Sequence, residues 1–271
     1  MRIVRFEIKE CIRYGVLRGE DIQVLSGNPF DDANTAVALT AQLTEESCRL
    51  ERVSLLAPCE PSKYIGIGIN YRATAEALNF PVPERPILFL KPPSAVIGPD
   101  QNIVLPKSPV KVVCEGELAV VISRRCKNIS EKEAPSHILG YTITNDVTDA
   151  SKFESDSGNP TRAKVADTFG PLGPWIETEL DPRNLTLKTY INGQQAQHGT
   201  IGDLIFSINY CLSFISHLMT LLPGDIIATG TPQAPAEVKP GDLVEVKVDG
   251  IGTLKNGVVG LPQGPHDERE K

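Results

Sequence analysis

The stretch Cys114-Glu115-Gly116-Glu117-Leu118-Ala119-Val120-Val121-Ile122 sets two carboxylates, two residues apart, at the head of an apolar run. In a strand, residues two apart share a face, so Glu115 and Glu117 are expected side by side at the mouth of a buried strand. Bare carboxylates placed this way repel each other and lose hydration, which a proton or a cation must offset. A second candidate strand, Ile138 to Thr144, ends on Asn145-Asp146 and offers a third carboxylate. Three carboxylates with no suitably placed His or Cys favour a hard, oxygen-loving ion: Mg²⁺, or alternatively Mn²⁺ or Ca²⁺. The plainer alternative for a Glu-x-Glu is a solvated strand end, because charged side chains are mostly exposed. Here Val112-Val113 before it and Leu118 to Ile122 after it weigh against exposure.

The chain has 271 residues, ample for one sizeable core with a small appended subdomain. Its formal net charge of −7 disfavours nucleic acid and anionic membranes as partners. The N-terminus, Met1 to Phe6, lacks a signal peptide's apolar core, and no run approaches the ~20 residues of a membrane span. Cys11, Cys48, Cys59, Cys114, Cys126 and Cys211 are scattered without a Cys-x-x-Cys pair. They are expected to be reduced thiols of a cytoplasmic protein, and a structural zinc site is disfavoured.

Outward from the acidic stretch, three parts are expected: residues 1–57, 58–262 and 263–271. In the first, Arg2 to Ile8, Ile12 to Leu17 and Asp21 to Leu25 have the composition of short strands punctuated by Gly15, Gly19 and Gly27. Thr44 to Leu56 has helical spacing at Cys48, Leu50 or Glu51, and Val53. The last part is polar, charged and expected to be disordered. Between them, Tyr64 to Ile69 predicts a strand whose Gly66 and Gly68 are too few for a dinucleotide fingerprint. Ala73 to Leu78 predicts a short helix, and Ile87 to Lys91 a strand. Ser130 to His137 predicts a helix with Glu133 completing a capping box, and Asp149 to Pro160 a polar surface loop. Leu185 to Ile191 ends on the hairpin signal Asn192-Gly193. One long helix is expected from about Asp203 to Leu222, capped by Asp203 or Ser207, with His217 structural within it. Two Pro-Gly-Asp turns, at Pro223 and Pro240, launch strands, and a last strand lies near Gly252 to Val259. Strands outnumber helices without regular alternation, which excludes a doubly wound sheet or TIM barrel and predicts a mainly β, mixed-sheet α+β fold.

In order, Gly68-Ile69-Asn70-Tyr71-Arg72, Phe89-Leu90-Lys91-Pro92, Glu115 to Ile122, Gly140-Tyr141 through Asn145-Asp146-Val147, Lys164, Gly170 to Pro174, Asn192-Gly193, Pro223-Gly224-Asp225 and Thr229-Gly230-Thr231-Pro232 resemble the fumarylacetoacetate hydrolase superfamily. The likeness spans about residues 64 to 260. It implies a mixed β-roll with one long helix and a small N-terminal β-rich subdomain, a homodimer, and a divalent cation serving a 2-oxo-acid or 1,3-dicarbonyl substrate. The family's metal carboxylates fall on Glu115, Glu117 and Asp146, and its site lysine on Lys164. Substrate contacts are implied for Tyr71, Arg72, Lys91, Gly230 and Thr231.

Three departures matter. Where hydrolase members carry a lid His and Glu that activate water, this chain has Thr74 and Ala77. A Thr hydroxyl hardly ionises at neutral pH. Glu76 is one residue from the family Glu, about 100° around a helix axis, and replaces it only if the lid register shifts. The family's substrate-orienting Arg is Ala150, and a following Gln falls near Phe153. The loop after Thr231-Pro232 becomes Gln233-Ala234-Pro235. With Thr74 and Glu76 as candidate lid replacements and Lys164 as the catalytic cation, the surviving parts suit enolate chemistry: tautomerisation, decarboxylation or isomerisation. Ordinary acylpyruvate or fumarylacetoacetate C–C hydrolysis is the alternative. A non-catalytic binding or assembly subunit is a third, and His198 is a minor candidate for a relocated base.

Overall fold

All seven residues of the acidic strand Gly116–Ile122 are buried, because both of its faces are covered. In this computed structural model, which describes residues 1–31, 36–107 and 111–261, the strand is interior to a 12-stranded mixed sheet. Ile138–Asn145 lies antiparallel on one side of it, with Glu117 opposite Thr144. Ile226–Ala228 lies antiparallel on the other, followed by Tyr64–Gly68 in parallel and Ile87–Lys91 at the edge. The alternation of the acidic strand distributes its side chains among separate cores. Leu118 meets Ile143, Phe169, Leu187 and Val246. Ala119 and Val121 pack with Ile3, Tyr64 and Leu172. Val120 and Ile122 pack with Ile65 and with Cys211, Leu212 and Ile215 of the helix Ile208–Leu218.

A five-stranded sheet runs in the order Gln194–Thr200, Thr186–Ile191, Leu243–Val248, Gly252–Gly260, Ile103–Leu105. It lies against the Glu-Gly-Glu backbone: a Cβ on Gly116 would come within 2.2 Å of Thr189 Oγ1 and 2.9 Å of Val246 Cγ1. Gly116 is therefore the only residue type that lets the two layers close here. A three-stranded sheet joins Thr148–Asp149, Val112–Cys114 and Ala236–Val238. The expected mainly β, α+β fold is the one observed. The N-terminal strands continue the large sheet, since Arg2–Ile8 pairs with Gly170–Glu177 through Ile3 and Ile176. The Met1 ammonium is ion-paired to Glu177 at 2.8 Å.

Four expectations need correction. Residues Thr44 to Leu56 are not helical but form the strand Leu43–Arg49, one 3₁₀ turn and the strand Ser54–Leu56. Pairing of Ile22 with Cys48 and the Thr44 hydroxyl bond to the Val24 carbonyl at 2.9 Å override the helical spacing. Ser130 to His137 is a turn with a 3₁₀ segment, Ala134–His137. The Glu133 carboxylate does accept from Ser130, both N–H (2.8 Å) and hydroxyl (2.7 Å), but Pro135 supplies no N–H for an α ladder. Asp149 to Pro160 contains the helix Ala150–Ser155, capped by Asp149, whose Oδ1 accepts the Lys152 N–H. The long helix is shorter than expected: Ser207 caps it, and a separate 3₁₀ turn, Ile201–Asp203, precedes it. The polar tail from residue 263 lies outside the described residues.

None of the six cysteines is in a disulfide. Among the described residues, no helix is long and apolar enough to cross a membrane. Leu118 is fully buried at the junction of the two large sheets, so Leu118→Ala is expected to cost about 3 kcal/mol in a urea unfolding titration. A cost below about 1 kcal/mol would contradict this packing.

Candidate active site

Glu115 sits in the break between the strands Val112–Cys114 and Gly116–Ile122. Its N–H donates to Asn145 Oδ1 at 3.0 Å, and its carbonyl accepts the Asp146 N–H at 2.8 Å. These bonds fix the end of one strand to the end of its neighbour and bring the first and third carboxylates together. Thr148 Oγ1 donates to Glu115 Oε2 at 2.9 Å. Lys164, carried in by the short helix Thr161–Lys164, donates to Glu115 Oε2 at 2.6 Å and also to Asp146 Oδ2. Its Nζ stands 4.6 Å from the centroid of the Phe89 ring, a cation–π contact. Lys91 Nζ is ion-paired to Asp146 Oδ1 at 2.8 Å and donates to the carbonyls of Val147 and Lys164.

Burial acts on every group here. It pushes the Glu117 carboxyl well above the usual carboxylate range, and the Asp146 and Glu115 charges push it further. Burial raises Glu115 as well, against the pull of Lys164. At Asp146 burial also pushes upward, but Lys164 and Lys91 together overcome it and hold the carboxyl below its ordinary value. Lys91 is lowered by burial despite Asp146. Lys164 is raised, because Asp146 and Glu115 outweigh its own desolvation.

Over this cluster lies the turn Thr229-Gly230-Thr231. Gly230, at φ +102°, turns its N–H onto Glu117 Oε2 at 2.7 Å. The Asn70 side chain donates to the Thr229 carbonyl at 2.9 Å and accepts the Phe206 N–H at 2.8 Å. The Thr74 hydroxyl, on the helix Arg72–Ala77, donates to the Thr231 carbonyl at 2.6 Å. An open cleft of about 670 Å³ adjoins the turn, lined among others by Tyr71, Arg72, Glu76, His198, Asp203 and Gln233. Tyr71 is almost fully buried, and its hydroxyl has no hydrogen-bond partner in the protein. Burial and then the Glu117 charge raise its pKa.

The structure thus brings Glu115, Glu117, Asp146 and Lys164 together, with Gly230, Thr231 and Tyr71 above or beside them. Arg72 is exposed and lines the cleft. Three of the expected residues have specific placements. The Lys91 side chain is fully buried beside Asp146, with its donors taken by the protein. Thr74 spends its hydroxyl on a carbonyl. Glu76 is exposed on the cleft wall. His198 is likewise exposed at the cleft, and His217 rests on the Ser213 carbonyl of its own helix. Sequence reasoning missed Asn145 and Thr148, whose polarity at a strand end was the available signal. It also missed Gln197, whose inward position depends on a bulge.

The donor set fits a divalent cation. Two buried carboxylates, Glu117 and Asp146, and the partly buried Glu115 supply oxygen donors. Among the described residues no lysine is paired with Glu117, whose one protein partner here is the Gly230 N–H; such an all-oxygen set suits a hard ion. Among the described residues no three His, Cys, Asp or Glu side chains already stand as a ligand cluster. Lys164 Nζ bridges Glu115 and Asp146 instead.

Residues 63–259 match the family described as Fumarylacetoacetate (FAA) hydrolase C-terminal, and residues 1–58 match one described as Rv2993c-like, N-terminal. The chain belongs to the fumarylacetoacetate hydrolase superfamily and is an enzyme of that class. It is similar to a solved 5-carboxymethyl-2-hydroxymuconate delta-isomerase from Mycobacterium smegmatis, with 41% identity, a TM-score of 0.87, and coverage of 96% of this chain and 100% of that one. Similarity at 41% identity over 196 residues extends to a 4-hydroxyphenylacetate degradation bifunctional isomerase/decarboxylase from Escherichia coli, covering 71% of this chain and 46% of that protein. A maleylpyruvate hydrolase from Sphingobium sp. SYK-6, solved in complex with manganese(II) ion and pyruvate, shares 30% identity with a TM-score of 0.78, covering 96% of this chain and 99% of that one.

Removing Lys91 leaves Asp146 buried with one cation fewer. Lys91→Met is expected to destabilise the fold by about 3 kcal/mol, read in urea unfolding without added divalent ion. Unchanged stability would contradict the pairing.

Proposed function

We propose that this protein is a divalent-metal-dependent enzyme that acts on a 2-oxo acid or 1,3-dicarbonyl through an enolate, by tautomerisation, isomerisation or decarboxylation. The observation that carries the reading is the gathering of buried Glu117 and Asp146 and partly buried Glu115 with Lys164 and Lys91 beneath the Thr229-Gly230-Thr231 turn. The three carboxylates would hold Mg²⁺ or Mn²⁺. A cation bound there supplies Lewis acidity that polarises a carbonyl and favours loss of a neighbouring proton or of CO₂.

The chain's own residues do the remainder. Lys164, held charged by Asp146 and Glu115, adds positive charge for the forming enolate oxygen. Tyr71 offers a buried hydroxyl with no protein partner, and Thr231 a second hydroxyl, for substrate oxygens. Arg72, on the cleft wall, suits the far carboxylate of a dianionic substrate. Thr74 holds the lid helix to the Thr231 carbonyl and so keeps the turn over the site. Cleavage of a C–C bond by water needs a group to activate that water, and the Thr74 hydroxyl is committed elsewhere. The similarity to isomerases and an isomerase/decarboxylase at 41% identity supports the same preference.

C–C hydrolysis is the second reading, favoured by the 30% identity to a maleylpyruvate hydrolase and by Glu76 on the cleft wall. Proton NMR of oxaloacetate and of an acylpyruvate with Mg²⁺-loaded protein in D₂O separates the two. Deuterium exchange, enol–keto interconversion or CO₂ loss without C–C cleavage by water is expected. Glu117→Gln is expected to lower that rate by about 100-fold. Hydrolytic fragments would select the second reading, and full activity in Glu117→Gln would overturn both.

A further inference from the structure

Gln197 is fully buried, yet it belongs to a strand, Gln194–Thr200, whose neighbouring residues Gln195, Ala196 and His198 are exposed. It points inward because the strand bulges. Tyr190 pairs with Gln195 and Thr189 with Gln197, so Ala196 is the extra residue. The amide reaches two parts of the site at once. Its Oε1 accepts the N–H of Gly116, between Glu115 and Glu117, at 3.0 Å. Its Nε2 donates to Thr231 Oγ1 at 2.8 Å and to the Ala234 carbonyl at 3.2 Å.

The orientation of this amide is set by partners that cannot reverse. A backbone N–H only donates and a carbonyl only accepts. Thr231 Oγ1 therefore receives a hydrogen bond from Gln197, and its own proton must be directed to another acceptor. Thr231 is almost fully buried, next to the Gly230 that binds Glu117. We propose that Gln197 is a positioning residue: it fixes the Glu115-Gly116-Glu117 peptide and holds the Thr231 hydroxyl as a donor toward an anionic substrate oxygen. The inference rests on the oxo-acid reading above.

A change of amide to carboxylate isolates the second role. In Gln197→Glu the side chain still accepts from Gly116, but toward Thr231 it offers only an acceptor. The Thr231 hydroxyl must then turn its proton onto residue 197, away from substrate. The test is a double-mutant cycle with Thr231→Val, using isothermal titration of Mn²⁺ and then of pyruvate onto the Mn²⁺-loaded protein. Thr231→Val is expected to weaken pyruvate about tenfold while leaving Mn²⁺ affinity within about twofold. Gln197→Glu is expected to weaken pyruvate by a similar factor, and the double variant no further than Thr231→Val, because one lost donor cannot be lost twice.

A side chain that merely supported the fold would weaken pyruvate additively with Thr231→Val. Additivity, or wild-type pyruvate affinity in Gln197→Glu, overturns the proposal while leaving the oxo-acid reading intact. Wild-type protein that binds neither Mn²⁺ nor pyruvate overturns both. If Gln197→Glu does not fold, Gln197→Met enters the same cycle with the same expected non-additivity.

Discussion

Burying carboxylates together requires that positive charge be buried with them, and much of this structure follows from that constraint. Glu115 and Asp146 are held by Lys164, and Asp146 also by Lys91. Glu117 has the Gly230 N–H and a pKa displaced upward. Removing any one of these charges would leave its partner stranded in a low-dielectric interior, where an unpaired charge costs far more than the pair gains. The edge strand Ile87–Lys91 and the short helix Thr161–Lys164 are thus tied to the centre of the molecule by their terminal lysines.

The same constraint explains the division between floor and rim. The floor is built from strand ends whose backbone bonds leave no slack: Glu115 to Asn145, Asp146 to Glu115, Gly230 to Glu117. The rim consists of exposed side chains, Arg72, Glu76 and His198, on the lid helix and the strand beside it. Chemistry that depends on accumulated charge belongs to the floor. At the rim a side chain can change without disturbing a buried pair.

Much of the floor was legible in the amino-acid sequence. Glu115 and Glu117 head a run apolar on both faces, so period-two alternation sets these two side by side, while Asp146, at the end of a second candidate strand, joins them through the family resemblance. The motif order placed Lys164 among them, whereas periodicity gives no sign of a lysine on a four-residue helix. Lys91 was assigned to substrate because a motif marks proximity but not depth. Thr44 to Leu56 carried a helical spacing that pairing with Asp21–Leu25 overrode. Gln197 escaped because the extra residue Ala196 reverses the in–out alternation after Asn192-Gly193, and a bulge leaves little mark in composition. The pattern of errors is physical: local periodicity predicts which face a residue takes, and only tertiary contact decides what meets it there.

The hydrogen bond from Gly230 to Glu117 spans 113 residues of chain, and the Lys164–Glu115 bond spans 49. Contacts of such separation form only after long loops have closed, which makes them slow to appear. A chain emerging from the ribosome has Glu115, Glu117 and Asp146 long before it has Thr229-Gly230-Thr231. Until that last turn arrives, the Glu117 carboxylate lacks the Gly230 N–H that meets it in the finished molecule, so the paired floor is a property of the completed fold alone and is assembled only when synthesis is nearly done.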